Sequence, residues 1–133
     1  MNETTFGGPT ATSQAERNRQ LFLTSFAQFA SGNPDILRSV LREDFIEHSP
    51  GNPSGRVAFV EFIKNSPVAA ARLELKRVIA DDQYVAHYHM IERDDEPGTA
   101  VVDIWRIHDG LIAEHWDVVQ PVPEPAQIPN GMF

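Results

Sequence analysis

Residues 101–121, VVDIWRIHDGLIAEHWDVVQP, hold two runs rich in Val, Ile and Trp on either side of the dipeptide Asp109-Gly110. That is the sequence form of a β-hairpin. Asp103, Glu114, His115 and Asp117 interrupt runs otherwise apolar enough for a buried sheet, and such groups are costly to bury unless hydrogen-bonded, solvated or used. One strand earlier, in YVAHYHMIE (residues 84–92), His87 and His89 alternate onto the face that carries Val85 and Ile91. A carboxylate in a dry pocket gains proton affinity, so Asp117 beneath an apolar lid can exchange a proton with carbon acids activated by two carbonyls. The pattern points to a pocket rather than a plain core.

Whether these groups converge depends on the turn. A strict two-residue loop at Asp109-Gly110 pairs His108 with Leu111, sets Asp103 opposite Trp116 and sends the two aspartates to opposite faces. A bulged three-residue turn that includes His108 pairs Asp103 with His115 and puts Asp103, Trp105 and Asp117 on one face. Side chains alternate with period two, so this one-residue choice decides the site, and periodicity leaves it open.

If the preceding turn, RDDEPG, is centred on Asp95, His87 lies directly across from Asp103. The carboxylate would favour an imidazolium there, a donor suited to an enolate oxygen, and the same pair reads equally well as a structural hydrogen bond. His89 and His115 would add polar wall, and Trp105 a flat apolar surface for a ring-shaped ligand. His48, in FIEHSPGNPSG, sits where an ordered segment gives way to a loop and is expected near the pocket mouth. Asp117 is the expected proton-transfer group, with Asp103 its partner and His87 beside them.

Two other readings stay open. His87 and His89, completed by Asp103 and His115, could form a metal site. A binding module could instead hold a small apolar molecule without chemistry. The favoured reading uses no cofactor, and the expected metal site is none.

The elements that must position these groups come in a definite order. Ser13 and Glu16 form a capping box, and Leu21, Phe22, Phe26 and Phe29 recur at helical spacing until Gly32. Asn33-Pro34 opens a short second helix through Ile36, Leu37, Val40 and Leu41, and a third runs from about residue 56 to 65, with Pro67 just beyond. From residue 72 the pattern changes to strands: one through Leu73, Leu75 and Val78 to the Asp81-Asp82 turn, one over residues 84–92, and then the hairpin. Helices first and an antiparallel meander after describe an α+β domain with helices on one face of a curved sheet. Residues 1–12 are expected to be a flexible segment, 13–120 the domain, and 121–133, with four prolines, an extended surface tail.

Composition narrows the function classes. The 133 residues suffice for one domain with a real core. No cysteine is present, which excludes disulfides, thiolate catalysis and cysteine-ligated metal. The formal charge is −8, with Lys and Arg scattered, so nucleic-acid binding is not expected. No apolar run approaches the ~20 residues that span a bilayer and the N-terminus lacks signal-peptide regions, so the expected location is cytoplasmic, with no membrane partner.

The hairpin VDIWRIHDGLIAEHWDVVQP, the preceding DDQYVAHYH, the earlier FIEHSPGNPSG and the terminal NGMF together resemble a SnoaL-like polyketide cyclase. More closely, they resemble small bacterial SnoaL-like aldol-condensation-catalysing proteins, within the wider nuclear transport factor two-like superfamily. The resemblance implies a cone-shaped α+β barrel in which three N-terminal helices pack on a strongly curved, mainly antiparallel sheet around an apolar pocket. It also implies a cofactor-free intramolecular aldol condensation, or a related lyase or isomerase reaction, on a small apolar carbonyl compound. By motif the acid/base aspartate falls on Asp117, and the partner one strand back on Asp103, where the cyclases can have histidine. Ala86, Tyr88, Met90, Val102, Ile104, Trp116 and Val118 make the outer sheet face apolar, and a homodimer through that face is expected.

Overall fold

The structure, a computed structural model, describes residues 12–94 and 97–133. The expected N-terminal segment and the expected turn centre at Asp95 therefore lie, apart from Thr12, outside the described residues.

Helix α1 (Gln14–Ala30) starts at the expected cap, where the Ser13 hydroxyl accepts the Glu16 amide at 3.1 Å. The reciprocal half of the box is not made, because the Glu16 carboxylate accepts from Gln20 Nε2 instead, at 2.7 Å. Phe22 is buried, and Leu21, Phe26 and Phe29 are half-buried against the core, so the aromatic stripe faces the sheet. Asn18, also buried, donates to the Asp81 carbonyl and ties the helix to the turn at residues 81–83. A 3₁₀ turn, Pro34–Ile36, leads into α2 (Leu37–Val40), and α3 spans Arg56–Lys64. The Asn33 side chain makes no capping bond there, so proline alone marks that start.

Five strands follow the order β1-β5-β4-β3-β2: β1 (Leu41–Glu47), β2 (Arg72–Ala80), β3 (Tyr84–Glu92), β4 (Thr99–His108) and β5 (Leu111–Pro121). β2 to β5 form the expected antiparallel meander. β1 is an addition, pairing in parallel with β5 at the sheet edge. It arises where α2 was expected to continue through Leu41. Phe45 and Leu41 are buried from this strand, together with Phe59, Val60, Val85, Ile107 and Ile112. Truncating a buried phenylalanine such as Phe45 costs about 3–5 kcal/mol, so β1 is anchored by packing despite having only one neighbour. Three helices on an open, mixed, five-stranded sheet make the α+β cone.

The β4–β5 turn is the strict two-residue form. Asp109 and Gly110 take φ of 50° and 78°, and His108 pairs with Leu111. Both central residues are left-handed, as the hairpin twist favours, and Asp and Gly tolerate this best. Yet the aspartates do not part. After Ile107↔Ile112 the register slips by one, so that Arg106 pairs with Glu114, Trp105 with His115 and Asp103 with Asp117. Ala113 is the extra residue. This bulge within the strand, not in the turn, restores the alternation that turns His115 and Asp117 inward. The expected pairing of Asp103 with His115 is corrected to Asp103 with Asp117, on the expected shared face.

The C-terminal tail is also less extended than expected. It makes a 3₁₀ turn at Pro125–Gln127 and returns to the outer sheet face, where Tyr88 Oη donates to the Met132 carbonyl at 2.7 Å and Phe133 packs on the Tyr88 ring.

Candidate active site

β3, β4 and β5 present His87, Asp103 and Asp117 in one row, since His87 pairs with Asp103 and Asp103 with Asp117. They border a cavity of about 360 Å³ between the sheet and the helices, walled by Phe22, Phe26 and Phe29 of α1 and by Phe59 and Ile63 of α3. His89, Trp105 and His115 complete its polar end.

Asp103 is the hub. Its Oδ1 is 2.6 Å from His115 Nε2, and its Oδ2 is 3.2 Å from His87 Nε2 and 3.6 Å from His89 Nδ1. The contact with His87 is out of line for a hydrogen bond, so its buried Nε2 has the carboxylate as a charge neighbour only. Beyond His115 stands Glu47, whose side chain is fully enclosed and whose Oε1 is 2.7 Å from His115 Nδ1. Glu47 also accepts the backbone amides of His48 and Ser49 and, through Oε2, the Asn52 amide. A rigid chain Glu47–His115–Asp103 results, and its outer end anchors the loop after β1.

Electrostatics separates these groups. Burial opposes charge on His115, but the hydrogen bonds and charges of Asp103 and Glu47 outweigh it and push the pKa up to about 9. His115 is an imidazolium at neutral pH. Burial likewise opposes charge on Asp103, yet His115 and His87 hold its carboxyl well below the usual carboxylate range. His89 is pushed down to about 4, mainly by burial, with Asp103 opposing and His87 adding to the shift. Asp117 moves the other way from Asp103. Half-buried, it is raised by loss of water, with a Ser49 hydrogen bond and His115 opposing and the charges of Asp103 and Glu47 contributing.

Of the residues singled out in the sequence, Asp117, Asp103, His87, His89, Trp105 and His115 meet at this cavity. His48 does not. It lies on the outer face, its ring stacked on Trp116 at 4.9 Å and 2°, with Nε2 2.6 Å from Glu114. The expected place at the mouth is corrected. β1 runs on so that Glu47 turns inward beside Phe45, and the next residue turns out. Trp105 is not a bare wall either, because the His115 ring stacks on it at 3.9 Å. Its buried Nε1 has no hydrogen-bond partner among the described residues. Glu47, Ser49 and Asn52 went unseen in the sequence. Strand alternation from Phe45 would have flagged Glu47.

Two trios offer ligand atoms within 4.8 Å of one another, His87–His89–Asp103 and Asp103–His115–Asp117. Both nitrogens of His115 already face carboxylates at hydrogen-bond distance. The first trio is therefore the better placed to take a metal, which would have to displace the hydrogen between His87 and His89.

The fold and the family follow from comparison with known proteins. An NTF-2-like protein of unknown function from Burkholderia xenovorans LB400 superposes with a TM-score of 0.76 at 17% identity, covering 86% of this chain and 94% of its own. A candidate ketosteroid isomerase from Kribbella flavida gives 0.73 at 22% identity, covering 89% and 91%. A candidate SnoaL-like polyketide cyclase from Jannaschia sp. CCS1 gives 0.67 at 16%, covering 84% and 91%. Likeness at these identities establishes the nuclear transport factor two-like fold. No curated protein sequence matches significantly. Among the described residues, no helix is long and apolar enough to cross a membrane. The sequence profile of the SnoaL-like domain matches residues 22–115, well over half of the length, and the chain belongs to the SnoaL-like family.

Proposed function

We propose that this protein is a cofactor-free lyase or isomerase that performs aldol-type carbonyl chemistry on a small apolar compound, with Asp117 as the proton-transfer group. The observation that carries the reading is the pairing of Asp103 with Asp117 on the cavity face, one carboxyl held ionised and the other raised in proton affinity by its surroundings. Environments that push two titratable groups apart assign the acid/base roles. Ionised Asp117 takes a proton from the carbon beside a carbonyl. The electron pair of that C–H bond becomes the enolate and then the new C–C bond to an acceptor carbonyl carbon. The alkoxide so formed takes the proton back from Asp117.

His87, expected as the enolate donor, is shut between Asp103 and His89. Asn52 is the better donor, because it lines the cavity and spends only one amide hydrogen on Glu47. Asp103 does not touch the substrate in this scheme. It is a positioning residue, a fixed anion that raises its neighbour. Ketosteroid isomerase and polyketide cyclase descriptions among the fold relatives are compatible with proton transfer beside a carbonyl.

Asp117→Asn keeps the shape and removes the exchangeable proton, so turnover should fall by roughly a hundredfold or more while ligand binding persists. Unchanged turnover sinks the assignment. The reading includes a two-fold dimer through the outer sheet face, where Val102, Ile104 and Val118 are exposed beside the tail. Sedimentation as a monomer at micromolar concentration counts against that part.

A further inference from the structure

The three histidines around Asp103 carry six ring nitrogens, and the contacts assign the hydrogens. His115 uses both nitrogens on Asp103 and Glu47. His87 Nε2 faces Asp103 Oδ2 at 3.2 Å, so it carries the hydrogen, since a lone pair there would confront an anion. His89 Nδ1 lies 3.0 Å from His87 Nδ1 and 3.6 Å from Asp103 Oδ2, so it too carries a hydrogen, since a lone pair there would confront the anion. The hydrogen of His89 is then committed to Nδ1. Its Nε2 keeps a lone pair and has no hydrogen-bond partner among the described residues. The low proton affinity of His89 agrees with a neutral ring. His89 lines the cavity, opposite the aromatic wall of α1, with the Phe26 ring 5.8 Å away.

We infer that His89 Nε2 is a free hydrogen-bond acceptor in the cavity wall, and that the site selects a flat apolar ligand whose acidic hydroxyl, an enol or a phenol, donates to it. This rests on the proposed carbonyl chemistry, because a compound activated by two carbonyls is partly its enol and presents such a hydroxyl.

Binding of 2-naphthol and of its methyl ether, 2-methoxynaphthalene, tests the inference without any turnover. The ether is the more apolar, so a purely apolar pocket prefers it. The expected result by calorimetry is that the wild-type protein binds the naphthol roughly tenfold tighter, the worth of one net hydrogen bond. His89→Phe should erase that preference while still binding the ether. Nitrogen-15 spectra of the unmodified protein should also show His89 protonated at Nδ1 and bare at Nε2. Equal binding of both probes by the wild type, or a preference that survives in His89→Phe, overturns the inference and leaves the cavity as an apolar ligand site. Failure of both probes to bind overturns it together with the reading of the cavity. A hydrogen found on Nε2 overturns the tautomer on which it stands.

Discussion

Raising the pH from 6.5 through 9 should destabilise this protein. His115 is held at about 9 in the fold, against an ordinary 6.5 when unfolded. Between those values the folded state binds a proton that the unfolded state has lost. Its contribution is therefore fully present below pH 6.5 and disappears as the pH rises through 9. Each tenfold gain in proton affinity is worth about 1.4 kcal/mol, so the limb amounts to about 3 kcal/mol, or about 10 °C in Tm for a chain of this length. No discount for solvent applies, because His115 is only 3% exposed. Urea unfolding at several pH values between 6.5 and 9.5 measures it, with fluorescence of Trp105, stacked on the His115 ring, as the probe. Glu47→Gln removes one of the two carboxylates that hold the proton and should shrink the limb to about half. The acid side slopes the other way: His89 is depressed, so stability falls as the pH drops from 6.5 through about 4. Stability that stays level from pH 6.5 to 9 would refute the buried carboxylate–imidazolium–carboxylate chain.

Two further expectations use the same geometry. His48→Ala removes a stack and a polar contact with Glu114 from the outer face, so it should cost under about 1 kcal/mol in denaturant unfolding and leave ligand affinity unchanged within about twofold; a large affinity loss would put His48 back at the cavity. Protein purified without an affinity tag should contain less than stoichiometric transition metal by elemental analysis, whereas one equivalent that is lost in His87→Ala and His89→Ala would favour the His87–His89–Asp103 trio as a metal centre.

What was legible in the sequence has a physical pattern. Ser13 and the phenylalanine stripe of α1 were readable because capping and helical periodicity are local properties. The His87–Asp103 register was legible only on the condition that the following turn is centred on Asp95, and the strands do pair in that register. β1 was not, because its middle, Arg42 to Asp44, is polar and exposed at a sheet edge, and its parallel partner lies some seventy residues away. Missing β1 cost the parity of Glu47 and His48, which placed His48 at the pocket mouth and overlooked the carboxylate that holds His115. The bulge at Ala113 was equally hidden. An inserted residue leaves no mark on composition, and the two turn types considered for Asp109-Gly110 differed only at the loop.

The two aspartates show why residue type alone could not assign the roles. They pair directly across β4 and β5, and as residue types they are the same acid. What differs is their donors. Asp103 receives His115 on one oxygen and has His87 and His89 near the other, so its negative charge is compensated inside the protein. A carboxylate so well supplied is a poor proton carrier, since protonating it would forfeit those contacts and strand the His115 charge. Asp117 has the Ser49 hydrogen bond and a half-buried setting, and it faces a neighbour that stays ionised. Loss of water is the main reason charge is discouraged on Asp117, and the ionised Asp103 adds to it. His115 opposes the rise on the reacting carboxylate while Asp103 and Glu47 add to it, and the group with the fewest partners is the one left able to move a proton.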